Sequence, residues 1–338
     1  MKPVALTLGD AAGIGPEIVV KALSRPGVQE AWPSFVVGPA AVVQRAAQTW
    51  APGFRVRRMA SGADHHPTDG VIDVLDVGSV PPDLAFGRVD TRAGRAAYEA
   101  IAAAIGLALT GEVDAICTAP IHKESLAAAG LPYPGHTEML ADHSGSDDTA
   151  MMLVNRDLRT MLVTVHCALN DVAAQLTVEH ELRIIRLAHR TLQDMGIAQP
   201  RIAVAGLNPH AGEGGLFGRE EIDAIAPAVA LARAQGVDAT GPHPGDTVFM
   251  QARRGRYDLV VAQYHDQGLI PIKLLGVEDG VNVTAGLPFV RTSPDHGTAF
   301  DIAGQGIADP ASLITALRTA HELAALRTSR PRHPINRS

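Results

Sequence analysis

The stretch LTLGDAAGIGPEIVVKAL, residues 6–23, is the most informative about the fold, because three glycines and a proline separate a β-rich run from a helical pattern. Its glycines are spaced G-x₃-G-x-G, whereas the phosphate loop of a Rossmann domain requires G-x-G-x-x-G. Asp10 and Glu17 would also repel a phosphate. The stretch therefore predicts a strand that turns tightly into a helix beginning at Pro16, a favoured first helical position.

Length and composition indicate a well-packed globular protein. The 338 residues are too many for one ordinary core and suit two domains, and 46% of them are hydrophobic against 19% charged. The net charge of −7 argues against a nucleic-acid-binding protein, which usually carries a basic surplus. The first ten residues do not resemble a signal peptide, and no apolar run reaches the about 18 residues needed to span a bilayer. We expect a cytoplasmic protein.

Short β-branched runs alternate with longer alanine-rich amphipathic stretches, which predicts an α/β sandwich with a mainly parallel sheet. The predicted strands lie in 71–77, 113–120, 158–166, 201–210 and 257–265. The predicted helices lie in 92–110, 178–196, 219–235 and 310–326. The polar loop 61–70, with His65 and His66, is expected to be solvated, and the basic tail 327–338 to be a frayed terminus. The two cysteines, Cys117 and Cys167, are expected in the core, and their number excludes a disulfide framework.

Three histidines occupy the same position relative to predicted strands. His166, His210 and His265 each end a β-rich run. Ligands of open α/β sheets bind beyond the carboxyl ends of parallel strands, where three imidazoles are able to meet on one divalent cation. The alternative is that each histidine caps its own strand. Asp266 follows His265 directly and is a candidate to fix the tautomer of that ring.

Several residues near these histidines suit an anionic ligand. In PGHTEML (134–140), His136 and Thr137 stand at a predicted helix start, where free backbone donors favour a phosphate or carboxylate. The alternative for Thr137 is a plain helix N-cap. Lys273 and Arg291 lie beside apolar runs, either as surface residues or as partners of an anion, and Asn282 lies inside a β-rich run.

Two stretches together resemble a known enzyme superfamily. GDAAGIGPE (9–17) is similar to the GDGIGPE turn of isocitrate and isopropylmalate dehydrogenases, and DHGTAFDIAGQGIADP (295–310) to their cofactor loop. With GHTE, NPHAGE, YHDQG, GVNVTAGLP and RTSPDHGTA, the chain resembles the 4-hydroxythreonine-4-phosphate dehydrogenase family from about residue 4 to about residue 325. The resemblance implies a two-domain α/β/α sandwich without a Rossmann domain. The first expected domain consists of residues 1–130 and 295–338, and the second of residues 131–294.

The resemblance also implies the site residues. The metal would be bound by His166, His210 and His265. The substrate would be bound by His136, Thr137, Lys273, Asn282 and Arg291, with Lys273 and Asp246 as the catalytic residues. The nicotinamide cofactor, NAD or NADP, would be bound by Asp295, His296, Gly297, Thr298 and Asp301. The expected partner is a second copy of the chain, because the family's site lies at a homodimer interface with one metal histidine donated across it.

The implied reaction is oxidation of the C3 hydroxyl of a 4-phosphorylated four-carbon hydroxy acid, followed by decarboxylation of the β-keto acid. A divalent ion (Zn, Mn, Mg or Co) would lower the pKa of that hydroxyl. Ala11 replaces the proline of the commoner opening GDPAGIGPE. This departure, with TAP in place of TGP at residues 118–120, resembles the branch acting on 4-phospho-D-threonate or 4-phospho-D-erythronate. The expected substrate is therefore one of these or 4-hydroxy-L-threonine 4-phosphate, the substrate of the vitamin B6 (pyridoxine) biosynthetic enzymes.

Three other functions are compatible with parts of this pattern. A third branch of the family oxidises a cis-dihydrodiol of terephthalate. Outside the family, a metal-dependent hydrolase would use the same three histidines to activate water and would need no HGTAFDIAG loop. A phosphotransacetylase-like acyl transferase would need coenzyme A and no tightly bound metal.

Overall fold

The structure, a computed structural model, describes residues 2–81 and 83–328. In this part of the chain twelve strands form one sheet. The strands are β1 (Val4–Thr7), β2 (Ser34–Gly38), β3 (Arg55–Met59), β4 (Val71–Asp76), β5 (Ala115–Thr118), β6 (Ala150–Asn155), β7 (Leu158–Leu162), β8 (Arg201–Ala205), β9 (Asp238–His243), β10 (Leu259–Ala262), β11 (Val281–Ala285) and β12 (Val290–Pro294). Their order in the sheet is β3-β4-β2-β1-β5-β12-β11-β6-β7-β10-β8-β9.

The helices alternate with these strands along the chain, as an α/β fold requires. They are α1 (Gly15–Leu23), α2 (Val28–Ala31), α3 (Ala40–Trp50), α4 (Thr91–Leu109), α5 (Lys123–Ala128), α6 (His136–Ser144), α7 (Val172–Gln175), α8 (Val178–Asp194), α9 (Ala226–Ala234), α10 (Gly245–Arg253), α11 (His265–Lys273) and α12 (Ala311–Thr328). Short 3₁₀ turns occur at Gly62–Asp64, Leu169–Asp171 and Pro209–Gly215, and a π-helical turn at Glu221–Ile225. Within the described residues, no helix is long and apolar enough to cross a membrane.

The predicted α/β class with a mainly parallel sheet is confirmed, and a short antiparallel part makes the sheet mixed. Strands β1 to β5 and β12 pair in parallel, as do β7, β10, β8 and β9. Between these two groups, β6 and β11 run antiparallel to both of their neighbours. The predicted helices 92–110, 178–196 and 310–326 are confirmed as α4, α8 and α12, and 219–235 is present as the π turn followed by α9.

The opening glycine turn is confirmed as a tight strand-to-helix connection. Helix α1 begins at Gly15 with Pro16 in its first turn. Gly9 adopts a φ of +73°, and a Cβ there would lie 2.3 Å from the Pro120 carbonyl oxygen. A Cβ on Gly15 would lie 2.3 Å from the Leu8 carbonyl oxygen. The glycines are therefore required by close backbone packing rather than by a phosphate.

Two sequence expectations are wrong in detail. The loop residue His65 is not solvated, because its side chain is only 4% exposed and its Nδ1 lies 2.8 Å from the Asp73 carboxylate. Arg57 binds the same carboxylate, which explains why a polar loop folds inward here. Cys117 is buried in β5, and burial raises the pKa of its thiol to about 12, but Cys167 is only half-buried. Residues 329–338, most of the basic tail, lie outside the described residues.

Candidate active site

The three predicted metal histidines follow three adjacent strands. Strands β7, β10 and β8 are neighbours in the sheet and run in parallel, so their carboxyl ends lie at one edge. The strands are shorter than predicted and end before the histidines. His166 lies in the loop after β7, His210 lies in the 3₁₀ turn after β8, and His265 begins α11. The histidines therefore stand on connections, where ligand-binding residues of α/β folds are found.

Two of the three histidines are close together. The ring centroids of His166 and His265 are 6.1 Å apart. The Nδ1 atom of His265 lies 2.7 Å from the Asp266 carboxylate. This contact holds the ring and leaves Nε2 available for a ligand, which is the arrangement that the sequence predicts for Asp266.

The third histidine has a different environment. His210 is exposed, and its ring lies 6.5 Å from that of Phe217. Among residues 2–81 and 83–328, no group of three His, Cys, Asp or Glu side chains is placed to hold a metal ion. One chain therefore does not by itself assemble the predicted three-histidine site.

The loop that carries His210 has an unusual backbone. Residues 210–214 all have positive φ, between 44° and 80°, so they form one left-handed turn. Such a turn is costly for residues with a side chain. The buried carboxylate of Glu221 stabilises it by accepting hydrogen bonds from the backbone N–H and the side-chain amide of Asn208, at 2.7 and 3.0 Å.

His136 and Thr137 lie together at the start of α6, as predicted. The N-cap position is Gly135, so Thr137 lies inside the helix and the alternative of a plain Thr137 N-cap is wrong. The Nε2 atom of His136 is buried with no hydrogen-bond partner in the described structure. Burial lowers the pKa of His136 well below its usual value, and the positive charge of Arg291 adds to this. His136 is therefore a neutral imidazole with a free ring nitrogen.

Arg291 on β12 is buried, so the alternative of a surface arginine is wrong. Its guanidinium donates to the hydroxyls of Thr284 and Thr118, at 2.9 and 2.7 Å, and its Nε has no partner among the described residues. Burial lowers the pKa of Arg291 to about 10. A buried cation held by neutral hydroxyls suits an anionic ligand.

The remaining predicted substrate and catalytic residues are more exposed. Lys273 ends α11, and its Nζ lies 3.4 Å from the Asp295 carboxylate. Asn282 is half-buried in β11, opposite Ser293 of β12. Asp246 is exposed in the first turn of α10.

The predicted cofactor loop packs against the opening turn of the chain. The carbonyl of Thr298, a buried residue, accepts a hydrogen bond from the Ile14 N–H at 3.0 Å. Asp295 is largely buried, which raises its pKa, and Lys273 partly opposes that shift. His296 contacts the Gly297 carbonyl through Nδ1 at 3.1 Å, and Asp301 is exposed.

Three residues near the predicted site are not singled out by the sequence pattern: His122, Lys123 and Glu138. Burial lowers the pKa of His166, the charge of Lys123 lowers it further, and Glu138 opposes them. His122 stacks on Phe300 of the cofactor loop, with ring centroids 4.2 Å apart. All three lie in the motifs AICTAPIHKE and PGHTEML. The motifs alone do not show which residues these side chains contact.

Comparison with known proteins identifies the family. The profile of the family described as "Pyridoxal phosphate biosynthetic protein PdxA" matches residues 30–320. The chain is 57% identical to a 4-hydroxythreonine-4-phosphate dehydrogenase of Beijerinckia indica, covering 95% of both chains. It is 48% identical to a D-threonate 4-phosphate dehydrogenase of Cupriavidus necator, covering 96% of this chain and 98% of the relative.

A solved structure agrees with this result. The 4-hydroxythreonine-4-phosphate dehydrogenase of Klebsiella pneumoniae superposes with a TM-score of 0.90 at 49% identity, covering 96% of this chain and 98% of that one. These relatives are dehydrogenases, and the protein is accordingly an oxidoreductase. The chain belongs to the PdxA family.

Proposed function

We propose that the protein catalyses the metal-dependent, NAD-linked oxidation of the C3 hydroxyl of a 4-phosphorylated four-carbon hydroxy acid, and then the decarboxylation of the resulting β-keto acid. The observation that carries the proposal is buried Arg291, which forms no ion pair within the described residues and lies near neutral His136. This pair suits the phosphate or carboxylate of such a substrate.

The substrate is 4-hydroxy-L-threonine 4-phosphate or a 4-phospho-D-threonate or D-erythronate. Relatives with both kinds of name match nearly the whole chain, at 57% and 48% identity. Ala11, the residue expected to indicate the branch, is 1% exposed and packs in the core. The burial of this side chain gives no physical reason to prefer either substrate, and an assay with both distinguishes them.

The fold proposed for this reaction is the two-domain, non-Rossmann arrangement of isocitrate and isopropylmalate dehydrogenases. The proposed domains are 1–130 plus 295–338, and 131–294. The strand order supports this division, because strands from residues 150 to 285 occupy one end of the sheet and strands from residues 4 to 118 the other. The exception is β12, which belongs to the proposed second domain by residue number but pairs with β5 of the first.

The residues present suit a divalent cation that two chains share. His166 and His265 would hold it from one chain, because their rings are close and Asp266 orients the second. His210 of a second chain would supply the third imidazole. Support for a homodimer comes from the loop around His210, where Leu216 and Phe217 are 73% and 48% exposed.

When bound, the cation would supply Lewis acidity at the substrate hydroxyl and the nicotinamide would supply the hydride acceptor. The chain supplies the rest. Arg291 and His136 orient the anionic groups of the substrate. Lys273 is placed to hold or deliver a proton, because its Nζ is partly exposed and lies beside Asp295 of the cofactor loop. Asp246 is the second proposed acid–base group.

Nicotinamide reduction tests this function. The purified protein is incubated with NAD or NADP, with Mn²⁺ or Zn²⁺, and with each of the 4-phosphorylated substrates in turn. We expect absorbance of the reduced nicotinamide with at least one substrate, dependent on the cation and lost in His166→Ala. No signal with any substrate, or an active His166→Ala variant with its full metal content, would contradict the proposal.

A further inference from the structure

One buried acidic group has no role in the proposed reaction. Glu181 on α8 is fully buried, and neither carboxylate oxygen has a hydrogen-bond partner among the described residues. The side chain lies against Gln263, whose Oε1 is also buried without a partner. Burial raises the pKa of Glu181 to about 8, so the carboxyl is mostly protonated at neutral pH. The neighbouring Gln263 side chain partly opposes this rise.

Gln263 itself is the centre of a hydrogen-bond network. Its carbonyl accepts from the backbone N–H of Thr164 at 3.2 Å and from the Thr164 hydroxyl at 2.8 Å. Its side-chain Nε2 donates to the Ala205 carbonyl at 2.8 Å, and its backbone N–H donates to Oε1 of Gln267 at 2.7 Å. Gln267 in turn donates to the Gly206 carbonyl at 2.8 Å.

This network joins the three segments that carry the proposed metal histidines. Thr164 lies two residues before His166, and Gln263 lies two residues before His265. Ala205 ends β8, the strand that leads to the loop of His210. All of these contacts involve buried or half-buried atoms, where hydrogen bonds hold their geometry well.

We infer that Gln263, which lies against the buried side chain of Glu181, is a positioning residue that sets the spacing of the histidine-bearing segments and thereby the affinity of the metal site. The inference rests on the proposed metal site. Glu181 and Gln263 are not themselves ligands of the substrate or the metal. They act by fixing the main chain on which the ligands stand, as residues behind metal ligands commonly do.

Cobalt binding to the full-length chain, freed of metal by chelation, tests the inference. The Co²⁺ absorption bands report both affinity and geometry without any turnover. We expect Gln263→Met to weaken Co²⁺ binding about 10- to 100-fold and to alter the bands. Glu181→Leu, which leaves the Gln263 side chain against an apolar group, should give a similar loss, whereas Glu181→Gln, which keeps a polar group of the same shape, should stay within about threefold of the wild type.

Two further variants complete the test. Thr164→Val removes only the 2.8 Å hydrogen bond from the Thr164 hydroxyl and should weaken Co²⁺ binding several-fold. This variant still tests the network if Gln263→Met does not fold. Thr292→Val, the matched control, loses a buried 2.8 Å hydrogen bond from β12 to the Ala316 carbonyl of α12, away from the Gln263 network, and should bind Co²⁺ normally.

The outcomes separate the two proposals. Wild-type affinity in both Gln263→Met and Thr164→Val would overturn this inference alone, and so would a Glu181→Gln variant as weak as Glu181→Leu. A wild-type protein that binds no Co²⁺ would contradict the metal site of the proposed function, and this inference with it.

Discussion

The carboxylate of Glu17 accepts a hydrogen bond from the backbone N–H of Ala308 at 2.8 Å, across 291 positions of sequence. The same buried carboxylate accepts from the Gly306 N–H at 3.2 Å and pairs with Lys21 at 2.6 Å. These hydrogen bonds join helix α1 to the end of the predicted cofactor loop. The acidic residue that argues against a phosphate at this turn has a structural role instead.

Replacing Glu17 by Gln should destabilise the protein by about 2–4 kcal/mol, because a buried amide cannot satisfy two backbone donors and an ammonium group. Urea unfolding measures the change. Asp223→Asn is the matched control, since it removes an i,i+4 ion pair with Arg219 in which both side chains are more than half exposed. We expect the control to shift stability by less than about 0.5 kcal/mol. Equal effects of the two substitutions would contradict the assigned role of Glu17.

Replacing Arg291 by Met should lower kcat/KM by about 10²–10³, because the buried guanidinium would no longer bind the substrate anion. Thermal unfolding provides an independent reading. Millimolar inorganic phosphate should raise the Tm of the wild type and leave that of Arg291→Met unchanged, since a ligand stabilises only the state that binds it. A phosphate-induced shift of equal size in both proteins would place the anion site elsewhere.

The sequence predicts those strands, helices and site positions that depend on a local pattern of residues. Apolar β-branched runs locate β1, β4, β5, β7, β8 and β10, and helical spacing locates the long helices, whereas β2, β3, β6 and β9 are not predicted. His166, His210 and His265 each follow a predicted strand, and the three strands are neighbours in the sheet. The inward fold of His65 is not predicted, because it depends on Asp73, a partner on a strand that composition alone does not connect to the loop.

Other features depend on tertiary contacts that no local pattern encodes. Arg291 lies in a run that is equally compatible with a surface strand, and only the packed sheet buries it against Thr284 and Thr118. The left-handed turn at residues 210–214 is held by Glu221, which follows the turn in a separate π-helical segment. Which chain would contribute each histidine to the proposed metal site likewise depends on an assembly that no local sequence pattern encodes.

Substitutions in the left-handed turn should differ according to the space around each glycine. Gly212→Ala should cost about 2–4 kcal/mol, because its Cβ would lie 2.7 Å from Glu221 Oε2 in addition to the strain at φ +80°. A Cβ on Gly214 would meet no atom within 4 Å. Gly214→Ala should therefore cost only about 1 kcal/mol, which is the strain of a left-handed alanine. Chemical denaturation of the two variants tests this, and equal losses would show that Glu221 does not restrain the turn.

The raised pKa of Glu181 predicts a pH-dependent stability. Between the ordinary value of 4.5 and about 8, the folded chain holds a proton that the unfolded chain releases, so this group's contribution to stability falls as the pH rises. Glu181→Gln lacks that titration. Its stability relative to the wild type should therefore increase by on the order of 3–4 kcal/mol from pH 5 to pH 8. A difference between the two proteins that is the same at both pH values would contradict a buried, protonated Glu181.

Mixing inactive variants measures whether two chains build the active site. If His166 and His265 come from one chain and His210 from the other, as proposed, co-expressed His210→Ala and His265→Ala chains form heterodimers with one intact site. Such mixtures should recover about a quarter of wild-type nicotinamide reduction, given random pairing into symmetric dimers. The control mixture of His166→Ala with His265→Ala should stay inactive, because each of its sites lacks a ligand. Recovery in the control, or none with the first pair, would contradict a site shared in this way.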